Sequence, residues 1–204
     1  MNVYYMLLTT NSTNFNFKIK LLQQNIFKFL KHLDYDHTVL TQKHIYPLID
    51  KSLVGCHNLL SGRILHDLYF LTVIKNNNGF YLDHNITFKK LPDVSEFDIL
   101  LFFENDFPAN KNILKVFAWS RKKHTFWDHC ISLFIKRLDM LVKHKSFNQK
   151  YWTDIDHYLL SAEHIMFTIW SEIYRFDPRI KILENKTYND LVITKNFFAF
   201  RVWY

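Results

Sequence analysis

Residues 67 to 85 read Asp67-Leu-Tyr-Phe-Leu-Thr-Val-Ile-Lys-Asn-Asn-Asn-Gly79-Phe-Tyr-Leu-Asp83-His-Asn85. Upstream, Leu60, Ile64, Leu68, Leu71 and Ile74 recur at helical spacing, which predicts a long helix over Leu59–Lys75. The Asn-Asn-Asn-Gly cluster at 76 to 79 combines the residue types that end helices in the left-handed region with a glycine at the stop. The short apolar run Phe80–Leu82 then predicts a buried strand with Asp83 at its end. Ligands of α/β sheets sit beyond the carboxyl ends of strands, so Asp83 falls where a ligand contact is expected.

Outward from this unit the chain continues to alternate. Val3–Thr9 reads as a first buried strand, Leu21–Leu33 as an amphipathic helix and Thr38–Leu40 as a second strand. Beyond Asp83, strands are expected at Ile99–Phe103 and at Ile113–Trp119, which alternates less cleanly. Helices are expected over His124–Lys143 and Asp154–Phe176, then strands at Ile180–Leu183, Leu191–Thr194 and Phe197–Trp203. At the start of the last of these helices, Thr153-Asp-Ile-Asp156 reads as a helix start, with Thr153 capping and Asp156 near the positive end. This order implies one α/β domain over residues 1–204, a mixed sheet covered by helices.

Composition fits a single packed core. The 204 residues are 49% hydrophobic and 18% aromatic, with only 3 Gly and 4 Pro, so the core is built largely from Phe, Tyr and Ile. The longest apolar stretches fall far short of the roughly 20 residues that cross a bilayer. No basic flank, apolar core and cleavage site mark the N-terminus, so an intracellular, cytoplasmic location is expected. The Lys, Asn, Ile and Phe bias looks like coding from an AT-rich genome, such as that of a large DNA virus or an intracellular bacterium, and for a viral protein or an effector the expected location is the host cell. Cys56 and Cys130 each sit beside a histidine, His57 and His129, yet two cysteines read as reduced buried thiols, with no zinc assigned.

Charge is uneven along the chain. Residues 105–150 carry ten Lys/Arg against three Asp, an excess equal to the formal +7 of the whole protein. Such a segment is either a solvated face or a surface for an anionic or protein partner, including nucleic acid.

The segment from Asp67 to Asn85 resembles the signature of the DXD-type sugar transferase superfamily, which includes fungal initiating mannosyltransferases, capsular sugar transferases and large glucosylating toxins. Their pattern is a helix Asp, an Arg three residues later, a glycine break, and an apolar strand ending Asp-x-Asp. Asp67 and Asp83 are sixteen residues apart, as in that pattern, with Gly79, Tyr81 and Leu82 in register. His124-Thr-Phe-Trp127 looks like the family's His-Pro-Phe-Trp segment, and Leu160-Ser-Ala-Glu163 stands where Leu-Thr-Gly-Pro is usual. The resemblance covers about Leu59 to Trp170. It implies a GT-A (Rossmann-like) nucleotide-sugar-binding domain, with Asp67 and Tyr81 on the nucleotide or sugar and Asp83 orienting the donor. In that family, paired carboxylates hold Mn²⁺ or Mg²⁺ against the departing diphosphate.

Four departures fall on this chemistry. Asn85 replaces the second, metal-binding Asp; Phe70 replaces the Arg; the Gly-Pro pair is absent after Leu160, where Ser161 and Ala162 stand; and Phe198-Ala-Phe-Arg201-Val-Trp203 stands where the family places its last metal ligand. Metal binding at Asp83 and Asn85 is therefore expected to be weak. Arg63, four residues before Asp67, is the expected substitute partner for that carboxylate, and Arg201 the expected cation for the diphosphate. Trp203 corresponds to an aromatic that closes over the nucleotide. The expected function is transfer from a nucleotide-sugar donor to an acceptor, with Asp83 and Arg201 catalytic; the alternative is an inactive transferase fold recruited as a binding module.

Overall fold

In the computed structural model the described residues are 2–7, 36–57, 60, 62–83, 86–88, 91–103, 113–121, 123–145, 148–184 and 192–195. The expected helix over Leu21–Leu33 and strand over Phe197–Trp203 lie outside them, as do His84, Asn85, Arg201 and Trp203. The elements in chain order are β1 (Asn2–Leu7), β2 (Asp36–Thr41), α1 (Gln42–Ile45), α2 (Lys51–His57), α3 (Gly62–Asn76), β3 (Gly79–Asp83), β4 (Ile86–Phe88), β5 (Ile99–Phe103) and β6 (Ile113–Ser120). They continue with α4 (Thr125–Lys145), α5 (Asp154–Leu160), α6 (Ala162–Ile169), β7 (Ile180–Leu183) and β8 (Val192–Lys195).

Six strands form one mixed sheet in the order β2-β1-β3-β6-β5-β7, and every pairing is parallel except those of β6. Strand β1 has β2 on one side and β3 on the other, so the chain direction of travel across the sheet reverses there. Such a reversal opens a crevice at the carboxyl ends of the two diverging strands, and Asp83 closes β3 at that edge, paired with Met6 of β1. A separate ribbon pairs β4 with β8, Ile86 opposite Lys195. This ribbon was not legible in the sequence, and it brings the chain at 195 beside the residue that follows the Asp-His-Asn motif.

Helix α3 is apolar on nearly every side, with Ile64 and Leu68 to Ile74 all buried. It packs on one face of the sheet with α4 and α6, and its core partners include Tyr81, Ile99, Leu101, Ile113 and Ala118. The opposite face carries Phe80, Phe102, Phe117 and Trp119, all buried, with ring centroids 4.9–5.6 Å apart. At the α3–β3 corner the Asn76 and Asn77 amides donate to the Thr72 and Val73 carbonyls at 2.8 and 2.7 Å, satisfying acceptors that the helix end leaves open. Gly79 has φ +157, and a Cβ there would strike the Asn2 carbonyl and approach the Tyr4 ring to 2.9 Å. The glycine is thus needed for contact with β1 as well as for the stop.

The expected single helix over Asp154–Phe176 is three pieces. Ser161, with ψ 141, breaks it between α5 and α6 and caps α6, its side chain accepting from the His164 N–H at 3.3 Å; a π-helical turn follows at Trp170–Tyr174. Thr153 and Asp156 form the expected capping box of α5. Among the described residues no helix is long and apolar enough to cross a membrane.

Candidate functional site

Asp67 lies nine residues before the end of α3, a drop of about 13 Å at helical rise. Asp83 lies four residues along β3, about 13 Å of strand. The sixteen-residue spacing thus gives the helical and strand arms that meet at the corner nearly equal lengths.

Asp67 is completely buried, and its charge is met from the sheet by the Lys115 ammonium. Lys115 reaches it because β6 is irregular. Leu100 of β5 pairs with Trp119, but Phe102, two residues on, pairs with Leu114, so β6 carries three extra residues in between. An odd number of extra residues reverses which face the side chains take. Ala118 and Ile113 therefore both join the helix-side core, and Lys115 follows Ile113 onto that side. The β3–β6 register, Leu82 opposite Phe117, places Lys115 two positions further along, at the same edge as Asp83.

Glu163, in the first turn of α6, completes the cluster. Its Oε1 lies 3.5 Å from Lys115 Nζ and 3.2 Å from Arg63 Nη2, while the Ala162 N–H donates to Asp67 Oδ2 at 3.3 Å. That N–H is available because the break at Ser161 makes Ala162 the first residue of a helix, with no carbonyl one turn earlier to bond. His66 Nδ1 lies 3.9 Å from Asp67 Oδ1. Side-chain exposure grades from none at Asp67 through 13% at Lys115, 15% at Glu163 and 17% at His66 to 63% at Arg63.

The electrostatics follow from burial and these neighbours. Burial, the largest single influence, pushes the Asp67 carboxyl up, but the charges and hydrogen bonds of Lys115 and His66 together outweigh it and hold the group below its usual range. For Lys115 burial pushes down, and the charges of Asp67 and Glu163 leave it above its usual value. Burial and then the Asp67 charge raise Glu163, against the opposing pull of Lys115 and Arg63. Two buried acids thus share one buried ammonium.

The residues expected to form a site separate into groups. Arg63 joins the cluster through Glu163, and the cation on Asp67 is Lys115, because Arg63 stands in the exposed first turn while Asp67 is sealed beneath it. Tyr81 is 1% exposed and packed edge-on against Phe70 at 4.6 Å. Phe70, at the position of the usual Arg, has its other edge contact with Trp127 at 6.3 Å; an aromatic there fills the core, and the positive charge enters from β6. Trp127 is also core, donating from Nε1 to Ser120 Oγ at 2.6 Å. The side chain of Asp83 lies outside the described residues, with Asn85, Arg201 and Trp203.

Among the described residues, five of the ten Lys/Arg of the basic segment, Lys115 included, are engaged within the fold. Arg121 pairs with Asp98 at 3.0 Å, Lys143 with Asp139 at 2.7 Å and Lys145 with Asp156 at 2.6 Å, and Arg137 donates to the Leu159 carbonyl at 2.6 Å. Lys123, Lys136 and Lys150 are exposed. Cys130 is a free buried thiol whose pKa burial raises well above its usual value. A groove of about 440 Å³ between α2 and α4, floored by Leu53, Ile135, Leu138 and Val142, lies apart from the Asp67 cluster.

No protein-family model matches the chain, and no curated protein sequence matches it. Among solved structures the fold is similar to that of PaToxG glycosyltransferase, with a TM-score of 0.52 over 92% of this chain and 72% of that one, at 12% sequence identity. With its mixed sheet, its reversal at β1 and its helical cover, the chain has a glycosyltransferase-like α/β fold of the GT-A kind.

Proposed function

We propose that the protein binds a nucleotide-sugar donor at the carboxyl edge of β1 and β3 and acts as a glycosyltransferase with little dependence on a metal ion. The observation that carries this reading is the buried pairing of Asp67 with Lys115 of β6 in a sheet whose strand order reverses at β1. Asp83 would orient the donor. Lys115 supplies, from β6, the positive charge that position 70 does not.

The donor set at the motif does not fit a tightly held divalent ion. Asp83 offers one anionic carboxylate and Asn85 only a neutral carbonyl oxygen, whereas hard cations are retained by several charged oxygens. Among the described residues no three His, Cys, Asp or Glu side chains gather to hold a metal. Charge developing on a departing diphosphate would then be met by side chains. Arg201, six residues past the β4–β8 ribbon, is the proposed fork for its oxygens, and Trp203 the proposed cover for the base.

Donor hydrolysis followed by NMR tests this reading. Turnover of a nucleotide sugar should persist in a chelator and be abolished in Arg201→Ala. If Asn85→Asp makes hydrolysis metal-dependent and faster, the motif keeps its geometry and lacks only one carboxylate. Turnover that stops on chelation in the unaltered protein would restore a metal-centred reaction and contradict the proposal.

A further inference from the structure

Glu163 stands out within the Asp67 cluster because one of its oxygens has nothing to bind. Oε1 is shared by Arg63 and Lys115, but among the described residues Oε2 is buried without a hydrogen-bond partner. A buried carboxylate oxygen lacking a donor costs free energy that a purely structural acid avoids. Such orphaned atoms are rare enough in native proteins to point to a missing partner.

The neighbours define what that partner is. Lys115 beside it has three N–H donors and no acceptor, directed at Asp67 and Glu163. A group placed between the ammonium and Oε2 must accept from one and donate to the other. Water or a sugar hydroxyl does both; a phosphate oxygen does not, since it only accepts and would face two carboxylates.

We infer that Glu163 is a ligand-contacting, specificity-determining residue that accepts a hydrogen bond from a sugar hydroxyl while Lys115 donates to the same hydroxyl. This rests on the nucleotide-sugar reading for the identity of the polyol. It adds a second carboxylate, from α6, to the residues that touch the sugar rather than the diphosphate.

The test separates the two readings. UDP, GDP, UDP-glucose and GDP-mannose are titrated calorimetrically into the unaltered protein, Glu163→Gln and Glu163→Ala, and methyl α-glucoside and methyl α-mannoside are followed by saturation-transfer NMR. A sugar nucleotide should bind more tightly than its bare diphosphate. Glu163→Ala should reduce that difference about tenfold or more, as expected for a hydrogen bond to a charged group, with Glu163→Gln intermediate. Unchanged affinity for the bare diphosphate shows that the variants are folded. A difference that survives in Glu163→Ala, or an unaltered protein that binds both equally, overturns this inference and leaves nucleotide binding standing. Should no nucleotide bind, a methyl glycoside signal lost in Glu163→Ala supports the inference and removes the nucleotide reading; no glycoside signal removes both.

Discussion

Two lysine–carboxylate clusters in this protein are built to opposite specifications. At the start of α5, Asp156 Oδ2 receives Lys145 Nζ at 2.6 Å, the Thr153 N–H at 2.6 Å and the Thr153 hydroxyl at 2.8 Å. Burial raises that carboxyl, and the three donors together outweigh it, taking the pKa to about 2. At the carboxyl edge of the sheet, one ammonium serves two acids, and Glu163 is left raised with an unsatisfied oxygen. The first arrangement closes a helix. The second leaves one acid raised and one of its oxygens unsatisfied, the tension on which the proposed sugar contact rests.

The largest expected effect separates them at once. Lys115→Met leaves Asp67 buried without its counter-charge, and breaking a buried pair in this way costs about 3–5 kcal/mol. Urea unfolding should show that loss, with Asp67→Asn in the same background recovering most of it. If the single change costs less than about 1 kcal/mol, the pair is not a buried charge pair in solution.

At α5 the change is smaller. Thr153→Ala removes a cap and should cost about 1 kcal/mol by the same unfolding measurement, and a neutral result would mean that Lys145 and the backbone N–H of residue 153 hold Asp156 without the hydroxyl.

Acidity sharpens the contrast. A depressed carboxyl such as Asp156 contributes stability above the unfolded range near pH 4, and that contribution is lost as pH falls toward about 2. Glu163 has the reverse sign: with its folded pKa raised, its contribution becomes unfavourable as pH rises through that value. Glu163→Gln should therefore stabilise the protein more at pH 8 than at pH 5. An equal effect at both would place the ionised carboxylate in a comfortable environment and remove the tension argued for here.

Smallest of all, Arg63→Ala should change stability by about 1 kcal/mol or less, because its guanidinium is mostly in water.

The sequence made the helix–strand unit readable because its signals are local: the apolar spacing of α3, the Asn-Asn-Asn-Gly stop, and the fixed count from Asp67 to Asp83. Gly79 was readable as a stop but not as a contact, since its collision with Asn2 involves a strand 77 residues away. Lys115 was hidden for a different reason. Its face depends on three extra residues in β6, and the only trace was the imperfect alternation of Ile113–Trp119. Arg63 looked like the partner of Asp67 because helical spacing ranks neighbours within one element and says nothing about a cation arriving from another. Glu163 was visible only as a departure from Leu-Thr-Gly-Pro, its proximity to Asp67 arising from the break at Ser161.

Calorimetry with a panel of nucleotide sugars, with and without Mn²⁺, tests the central claim most directly. The account predicts that at least one nucleotide sugar binds, that a chelator changes its affinity by no more than a few-fold, and that Asp83→Ala removes binding while leaving the fold intact. Absence of binding from every member of the panel, or binding only when micromolar Mn²⁺ is present, would contradict it.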